Sequence, residues 1–157
     1  MTLSRSDRGP EVAPERDAER VSRSVELDAA PAAVWGALTE EALLAKWLAD
    51  EVELDAEPGG EIVCRYADGE ERRGEVELVE EAERLAWSWH REGGGTSRVE
   101  LVLDAVAAGT RLTVIETVFE SPVLETGALG ATGPLRRAVA WGPPLARLRR
   151  AVRLVLA

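Results

Sequence analysis

A chain of 157 residues with 45% hydrophobic content is long enough for one domain with a proper core, and its composition is not that of a disordered polymer. The net charge of −10 disfavours broad contact with nucleic acid, and no apolar run approaches the roughly 18 residues needed to cross a bilayer, so neither nucleic-acid binding nor membrane insertion is expected. A single cysteine, Cys64, and a single histidine, His90, exclude an intrachain disulfide and a Cys/His zinc site. They suit a reducing cytoplasm, and neither a metal nor a cofactor is expected.

Residues 1–20 lack the apolar stretch of a signal peptide and read as a solvated, disordered tail, which leaves residues 21–157 for a single domain. Of the nineteen basic residues only Lys46 is lysine; with the alanine and glycine content this suggests a GC-rich bacterial genome. Charge is unevenly spread. All 29 acidic residues lie at or before Glu125, so residues 1–133, with 13 basic residues, carry 13 − 29 = −16, whereas residues 134–157 carry six arginines and no acid. Those arginines could meet an acidic partner or an anionic membrane. The expected arrangement has them lying over the acidic body of the same molecule.

From Val21 to Leu27 apolar and polar residues alternate, with Arg23 as the exception, which predicts a strand with Val21, Val25 and Leu27 on one face. Pro31 fits the first position of a helix whose buried stripe is Val34, Trp35 and Leu38. Thr39 is a candidate cap for a second short helix, with Glu40 and Glu41 in its first turn and Leu43, Leu44, Trp47 and Leu48 at helical spacing. The period then becomes two. Val52 and Leu54 form a short strand, and Pro58-Gly59-Gly60 turns the chain. Ile62, Cys64 and Tyr66 share one face, and Asp68-Gly69 signals a hairpin. Gly74, Val76 and Leu78 form the next inner row, then Leu85, Trp87 and Trp89, then, after Gly93-Gly94-Gly95, Val99, Leu101 and Leu103. After Ala108-Gly109 the last row is Leu112, Val114, Glu116 and Val118. Seven strands with short turns predict an antiparallel meander, apolar on one face and charged on the other.

The C-terminal region is helical in pattern. Residues 134–141 could form a helix that Gly142-Pro143-Pro144 should break or kink, and Leu145, Leu148, Val152 and Val155 then make an apolar stripe. A lone curved sheet must bury its apolar face, and this long amphipathic helix is the element left to lie across the concavity. The predicted class is therefore α+β: a seven-stranded curved antiparallel sheet, two short helices after the first strand, and a C-terminal helix over the concave face, with room for a cavity between.

Four segments, LDAAPAAVWGALTEEALLAKWLA (27–49), PGGEI (58–62), RLAWSW (84–89) and AGTRLTVIET (108–117), resemble the START-like, helix-grip superfamily, also called SRPBCC. Within it the chain is similar to the branch named for the C-terminal domain of the heat-shock-protein-90 ATPase activator, over about residues 21–157. Family members run a smoother terminal helix than Trp141-Gly142-Pro143-Pro144 suggests here, which bears on the shape of the cavity mouth. The resemblance implies a ligand cavity, with polyketide-cyclase-like and hydrolase-like relatives that use pocket acids and bases, and a chaperone partner for the activator branch.

No nucleophile–base pair stands out. The stretch REGGGTS lacks the lysine and the strand–loop–helix setting of a phosphate loop. His90, the only conventional proton shuttle, alternates with Trp87 and Trp89 and should face solvent. The cavity wall is assigned to Ile62, Cys64, Tyr66, Val76, Trp87, Trp89, Leu101, Val114 and Leu148, with Arg23 and Glu116 as polar handles. Trp87 and Trp89 read either as core or as a flat wall for an aromatic ligand. Cys64 reads as a small buried hydrophobe and Tyr66 as a possible hydroxyl donor. Glu116 and Arg23 each interrupt an apolar face, which is costly unless they are paired or solvated, so the two are expected to approach each other. A structural ion pair, or a register that turns both outward, are the alternatives. The reading favours non-enzymatic binding of a small hydrophobic or aromatic molecule. A pocket enzyme using Glu116, Arg23 and Tyr66, and a chaperone ATPase-activating module, are the alternatives. A homodimer is left open.

Overall fold

The structure is a computed structural model, and it describes residues 19–91, 95–119 and 140–153. The proposed N-terminal tail up to Ala18, the core of the triple-glycine turn, the region of the possible helix before Ala140, and Val155 lie outside the described residues.

The order is β1 (Glu19–Leu27), α1 (Pro31–Thr39), α2 (Glu41–Leu44), β2 (Glu51–Leu54), β3 (Glu61–Arg65), β4 (Glu71–Glu80), β5 (Arg84–Arg91), β6 (Thr96–Val106), β7 (Gly109–Phe119) and α3 (Gly142–Ala151). The seven strands form one curved antiparallel sheet in the order β1-β7-β6-β5-β4-β3-β2. Consecutive hairpins build β2 to β7. The first strand joins the far side of β7, pairing Val21 with Glu116 and Arg23 with Val114. Both β1 and β2 are therefore edges.

Period two puts Leu27, Ile62, Cys64, Val76, Leu85, Trp87, Trp89, Val99, Leu101, Leu112 and Val114 on the inner face, where all are buried. The opposite face carries a lattice of charge pairs: Arg65–Glu53, Arg73–Glu61, Arg84–Glu100 and Arg111–Glu26 link neighbouring strands, and Arg98–Glu77 reaches from β6 to β4 across β5. These exposed pairs set little stability individually, but they place opposite charges side by side across the sheet.

The alternation fails at one place. Between Val76 and Leu78 the register against β5 slips, so that Leu78 pairs with Ala86 and Val79 with Leu85. This bulge inverts the phase of the rest of β4. Leu78, expected on the inner row, leaves it, and Val79 packs against the core instead.

Pro31 does begin α1, which buries Val34, Ala37 and Leu38. Trp35 is only partly buried, contrary to its expected place in the stripe. Nor does Thr39 cap α2: its hydroxyl donates back to the Trp35 carbonyl oxygen at 2.9 Å, satisfying a carbonyl at the end of α1. α2 ends at Leu44, so Trp47 and Leu48, expected in that helix, lie in the turn after it; Trp47 is fully buried, and its indole Nε1 donates to the Ala37 carbonyl oxygen at 2.9 Å, which ties this turn to α1. Burying a side chain of this size contributes roughly 2–3 kcal/mol, and the bond fixes its orientation.

Gly142-Pro143-Pro144 starts α3, and the stretch before Ala140, where a preceding helix is expected, lies outside the described residues. Proline has no N–H to donate, and in the first turn none is needed. The described helix is ten residues long and buries Leu145 and Leu148, with Val152 buried just beyond it. It lies over the inner face: Trp141 at its N-cap reaches Glu116 on β7, and Arg147 Nη2 donates to the Trp47 carbonyl oxygen at 3.2 Å. No helix among the described residues is long and apolar enough to cross a membrane.

Candidate functional site

The site is the polar end of the inner face, where β3 to β7 meet the start of α3. Its centre is Glu116, which is completely buried. Antiparallel register places Val99 opposite Glu116 on β6, and Ser97 one inner position further along. The Ser97 hydroxyl donates to Glu116 Oε2 at 2.6 Å, and itself accepts from Trp89 Nε1 at 2.9 Å. From the other side Trp141 Nε1 donates to Glu116 Oε1 at 3.0 Å. Arg72 on β4 brings Nη1 to 3.8 Å from Glu116 Oε2, and its guanidinium lies 5.1 Å from the Trp89 ring centroid. Arg72 Nε also donates to Glu70 Oε2 at 3.2 Å, and Arg91 meets the same oxygen at 3.4 Å. A buried carboxylate is costly alone, and here charge-assisted bonds and a nearby cation compensate it.

The two inner tryptophans of β5 stand edge to face, with centroids 5.5 Å apart and planes at 69°. Gly74 makes room beside them. It pairs with Trp89 on β5 and Ile62 on β3, and a Cβ at this position would run into the Ser88 carbonyl oxygen and the Trp89 backbone. The Trp87 Nε1 and the Tyr66 hydroxyl are both buried and have no hydrogen-bond partner among the described residues.

Burial pushes the Cys64 thiol up to about 12, with Arg72 pulling weakly the other way. Burial likewise raises the Tyr66 phenol well above its usual range, and Cys64 adds to the effect. Both groups are neutral near neutral pH. Among the described residues no cluster of His, Cys, Asp or Glu is arranged to hold a metal ion.

The structure brings Cys64, Tyr66, Val76, Trp87, Trp89 and Glu116 to one face, with Ile62, Leu101 and Val114 in the same core and Leu148 facing it from α3. His90 is exposed, as its phase requires. Arg23 is a correction. It is exposed, its Nη1 donates to the Ser22 carbonyl oxygen at 3.1 Å, and the cation beside Glu116 is Arg72. Arg23 stands on an edge strand, so its side chain can pass the sheet margin into solvent, while Arg72 is enclosed by strands on both sides. Arg72, Ser97 and Trp141 are the residues that sequence reasoning missed. A signal existed for the first two, because each continues an inner row by one step: Arg72 before Gly74 and Val76, Ser97 before Val99. Trp141 had none, since its contact spans 25 residues.

Beside this interior lies a separate groove of about 510 Å³ between β1 and α3, flanked by Arg23, Arg149, Arg150 and Arg153, with Val25 and Leu145 along it.

A curved antiparallel sheet gripping a C-terminal helix, with a polar cluster on the inner face beneath that helix, defines a helix-grip domain of the START-like, SRPBCC superfamily. Residues 28–148 match the family model described as Activator of Hsp90 ATPase homolog 1-like protein, and the chain belongs to that family. No curated protein matches it. Among solved structures it is similar to protein MLL2253 from Mesorhizobium loti, at 21% identity and TM-score 0.70, covering 87% of this chain and 98% of that one. It is also similar to DynU16, from the dynemicin biosynthetic locus, at 27% identity and TM-score 0.66; the match covers 87% of this chain but 47% of DynU16, so this chain spans about half of its length. CalU16 from Micromonospora echinospora is 23% identical with TM-score 0.59, over 86% of this chain and 75% of that one. At such identity MLL2253 and CalU16 show the fold alone.

Proposed function

We propose that the protein binds a small hydrophobic or aromatic molecule between the sheet and α3, without a chemical step of its own. The observation that carries this reading is the pair of buried polar atoms, Trp87 Nε1 and Tyr66 OH, that have no partner among the described residues. Leaving such a group unsatisfied costs about 1–3 kcal/mol, and their neighbours on the inner face are largely apolar. A guest with a flat apolar body and an oxygen acceptor would complement that wall, stacking on the tryptophans and accepting from the indole N–H. Trp87 and Trp89 are each only 1% exposed, so the guest enters as α3 moves away from its two ties, Trp141 to Glu116 and Arg147 to the Trp47 carbonyl. The likeness to DynU16, a protein of a biosynthetic locus, supports a small-molecule guest.

Binding is preferred to catalysis because burial keeps Cys64 and Tyr66 protonated, so neither is a nucleophile or base near neutral pH, and Arg23 stands outside the cluster.

Native mass spectrometry of freshly purified protein tests the reading. A non-covalent adduct that dissociates on collisional activation is expected, together with quenching of tryptophan fluorescence by an aromatic ketone such as flavone. Trp87→Phe keeps an aromatic face but removes the N–H, so flavone should bind about tenfold more weakly, with some loss of stability because the smaller side chain leaves a cavity in the core. A bare mass and no quenching by flavone would count against a guest altogether.

A further inference from the structure

The arginines of the C-terminal helix do not spread over the acidic body as charge balance suggests. Among the described residues of this region only Arg153 meets a carboxylate, Asp28, at 3.4 Å, while Arg147 bonds a backbone carbonyl. Elsewhere Arg65, Arg73, Arg84, Arg98 and Arg111 each engage a glutamate. Among the described residues Arg149, Arg150 and Arg23 engage none. Two come from α3 and one from the edge strand, and together with Arg153 they flank the groove of about 510 Å³. Like charges gathered without counter-charge repel, and an anion between them removes that cost.

The groove is not polar throughout. Val25 and Leu145 run along it, and Ala146 opens to solvent at its side. Its volume falls within the roughly 300–1,000 Å³ usual for small-ligand sites. Guanidinium forks match the planar oxygens of a carboxylate or the oxygens of a phosphate, and they hold them bidentately. A bare inorganic ion would leave the apolar length unused, and a neutral lipid would leave the arginines unused.

We propose that this groove is a binding site for a free amphiphilic anion. Its carboxylate or phosphate head lies among Arg23, Arg149 and Arg150, and its apolar stem lies along Val25 and Leu145. The site is separate from the interior guest proposed above and does not depend on it.

The test titrates the full chain by calorimetry with dodecyl phosphate below its micellar concentration, with dodecanol, and with inorganic phosphate. Dodecyl phosphate should bind at least about tenfold more tightly than either control, and its affinity should fall as salt is added. Arg23→Gln and Arg150→Gln should each cost about tenfold, as the loss of a charge-assisted bond predicts. Ala146→Asp, a change at an exposed helix position, should abolish binding with the circular dichroism spectrum unchanged. Trp87→Phe should leave it unaltered, and Arg23→Gln should leave any adduct seen by native mass spectrometry in place. The proposal is overturned if dodecanol or phosphate binds as tightly as dodecyl phosphate, or if the Arg23→Gln/Arg150→Gln double variant and Ala146→Asp bind like wild type. Association with phosphatidylglycerol vesicles, lost in those variants while free dodecyl phosphate does not bind, would also overturn it in favour of a membrane headgroup.

Discussion

Trp141 and Glu116 are joined by a hydrogen bond of 3.0 Å from the indole Nε1 to a carboxylate oxygen that solvent does not reach. The bond ties the start of α3 to the middle of the last strand. It therefore links the position of the helix to the electrostatics of the inner face.

Replacing Trp141 with phenylalanine should separate those roles. An aromatic ring is kept, though a smaller one, and Glu116 loses one donor to a buried charge; that bond is a loss of about 1.5–3 kcal/mol, to which the cavity left by the indole adds. Urea denaturation is expected to show a lower midpoint with an unchanged slope. Amide exchange in α3 should rise more than exchange in β6. Uniform loss of protection would mean that the bond does not hold the helix in particular.

Arg72 and Glu116 should be energetically coupled. Arg72→Gln removes the cation beside the carboxylate and the guanidinium over Trp89, and about 2 kcal/mol of destabilisation is expected. The loss falls below the roughly 3–5 kcal/mol of a broken tight buried pair, because Ser97 and Trp141 still donate to Glu116. A double-mutant cycle with Glu116→Gln should return a coupling of about 1 kcal/mol or more. Strict additivity would show that the 3.8 Å approach carries no energy. Arg72→Lys should not restore the wild-type value, since lysine offers neither the planar fork nor the ring stacking.

Gly74→Ala should be among the most damaging single changes in the sheet. Its Cβ would meet backbone atoms of β5 at Ser88 and Trp89, which cannot swing aside as a side chain could. A cost of about 3 kcal/mol is expected, read as a lower thermal midpoint and altered near-ultraviolet dichroism from Trp87 and Trp89. A variant of wild-type stability would contradict the close approach of β4 and β5 at this point.

Stability should fall in alkali. Cys64 has an ordinary pKa of 9.0, and burial raises it to about 12 in the folded chain. Above pH 9 the unfolded chain releases this proton while the folded chain keeps it, so the unfolded state binds fewer protons and folding weakens as pH rises towards 12. Each such group contributes at most about 1.4 kcal/mol per pH unit. The raised phenol of Tyr66 adds to the decline above its ordinary value of 10.0. Urea midpoints measured from pH 8 to 11 should show this slope, and Cys64→Ala should remove the part that begins near pH 9. An identical profile in that variant would mean that the thiol titrates as freely folded as unfolded.

Much of the architecture follows from local pattern. Period-two rows assign the inner residues of six strands, Asp68-Gly69 and Ala108-Gly109 mark two of the hairpins, and Pro31 marks the first helix. At Gly109 the backbone takes φ +145°, and a Cβ there would run into the Leu27 and Ala29 backbone, a position that only glycine fits. The inward phase of Glu116 is also legible, because a strand's face alternates whatever its neighbours are.

What local pattern could not settle is which side chains meet there. A bulge adds one residue, and nothing in ERRGEVELVE announces that Leu78 will yield its place to Val79. Pro143 and Pro144 forbid a helix interior but permit a helix start, and only the path of the chain chooses between the two. Among the described residues, Arg72 on β4, Ser97 on β6 and Trp141 at the N-cap of α3 meet Glu116, and their separations are set by strand order and by the crossing of the helix. For that reason Arg23, two residues along the adjacent strand, points to solvent, whereas Arg72, 44 positions earlier in the chain, reaches the carboxylate. The amino-acid sequence determined which faces are apolar, because that is a property of successive side chains. The tertiary structure decided the contacts of the buried carboxylate and opened a groove among the arginines, because both depend on distances between segments remote in the chain.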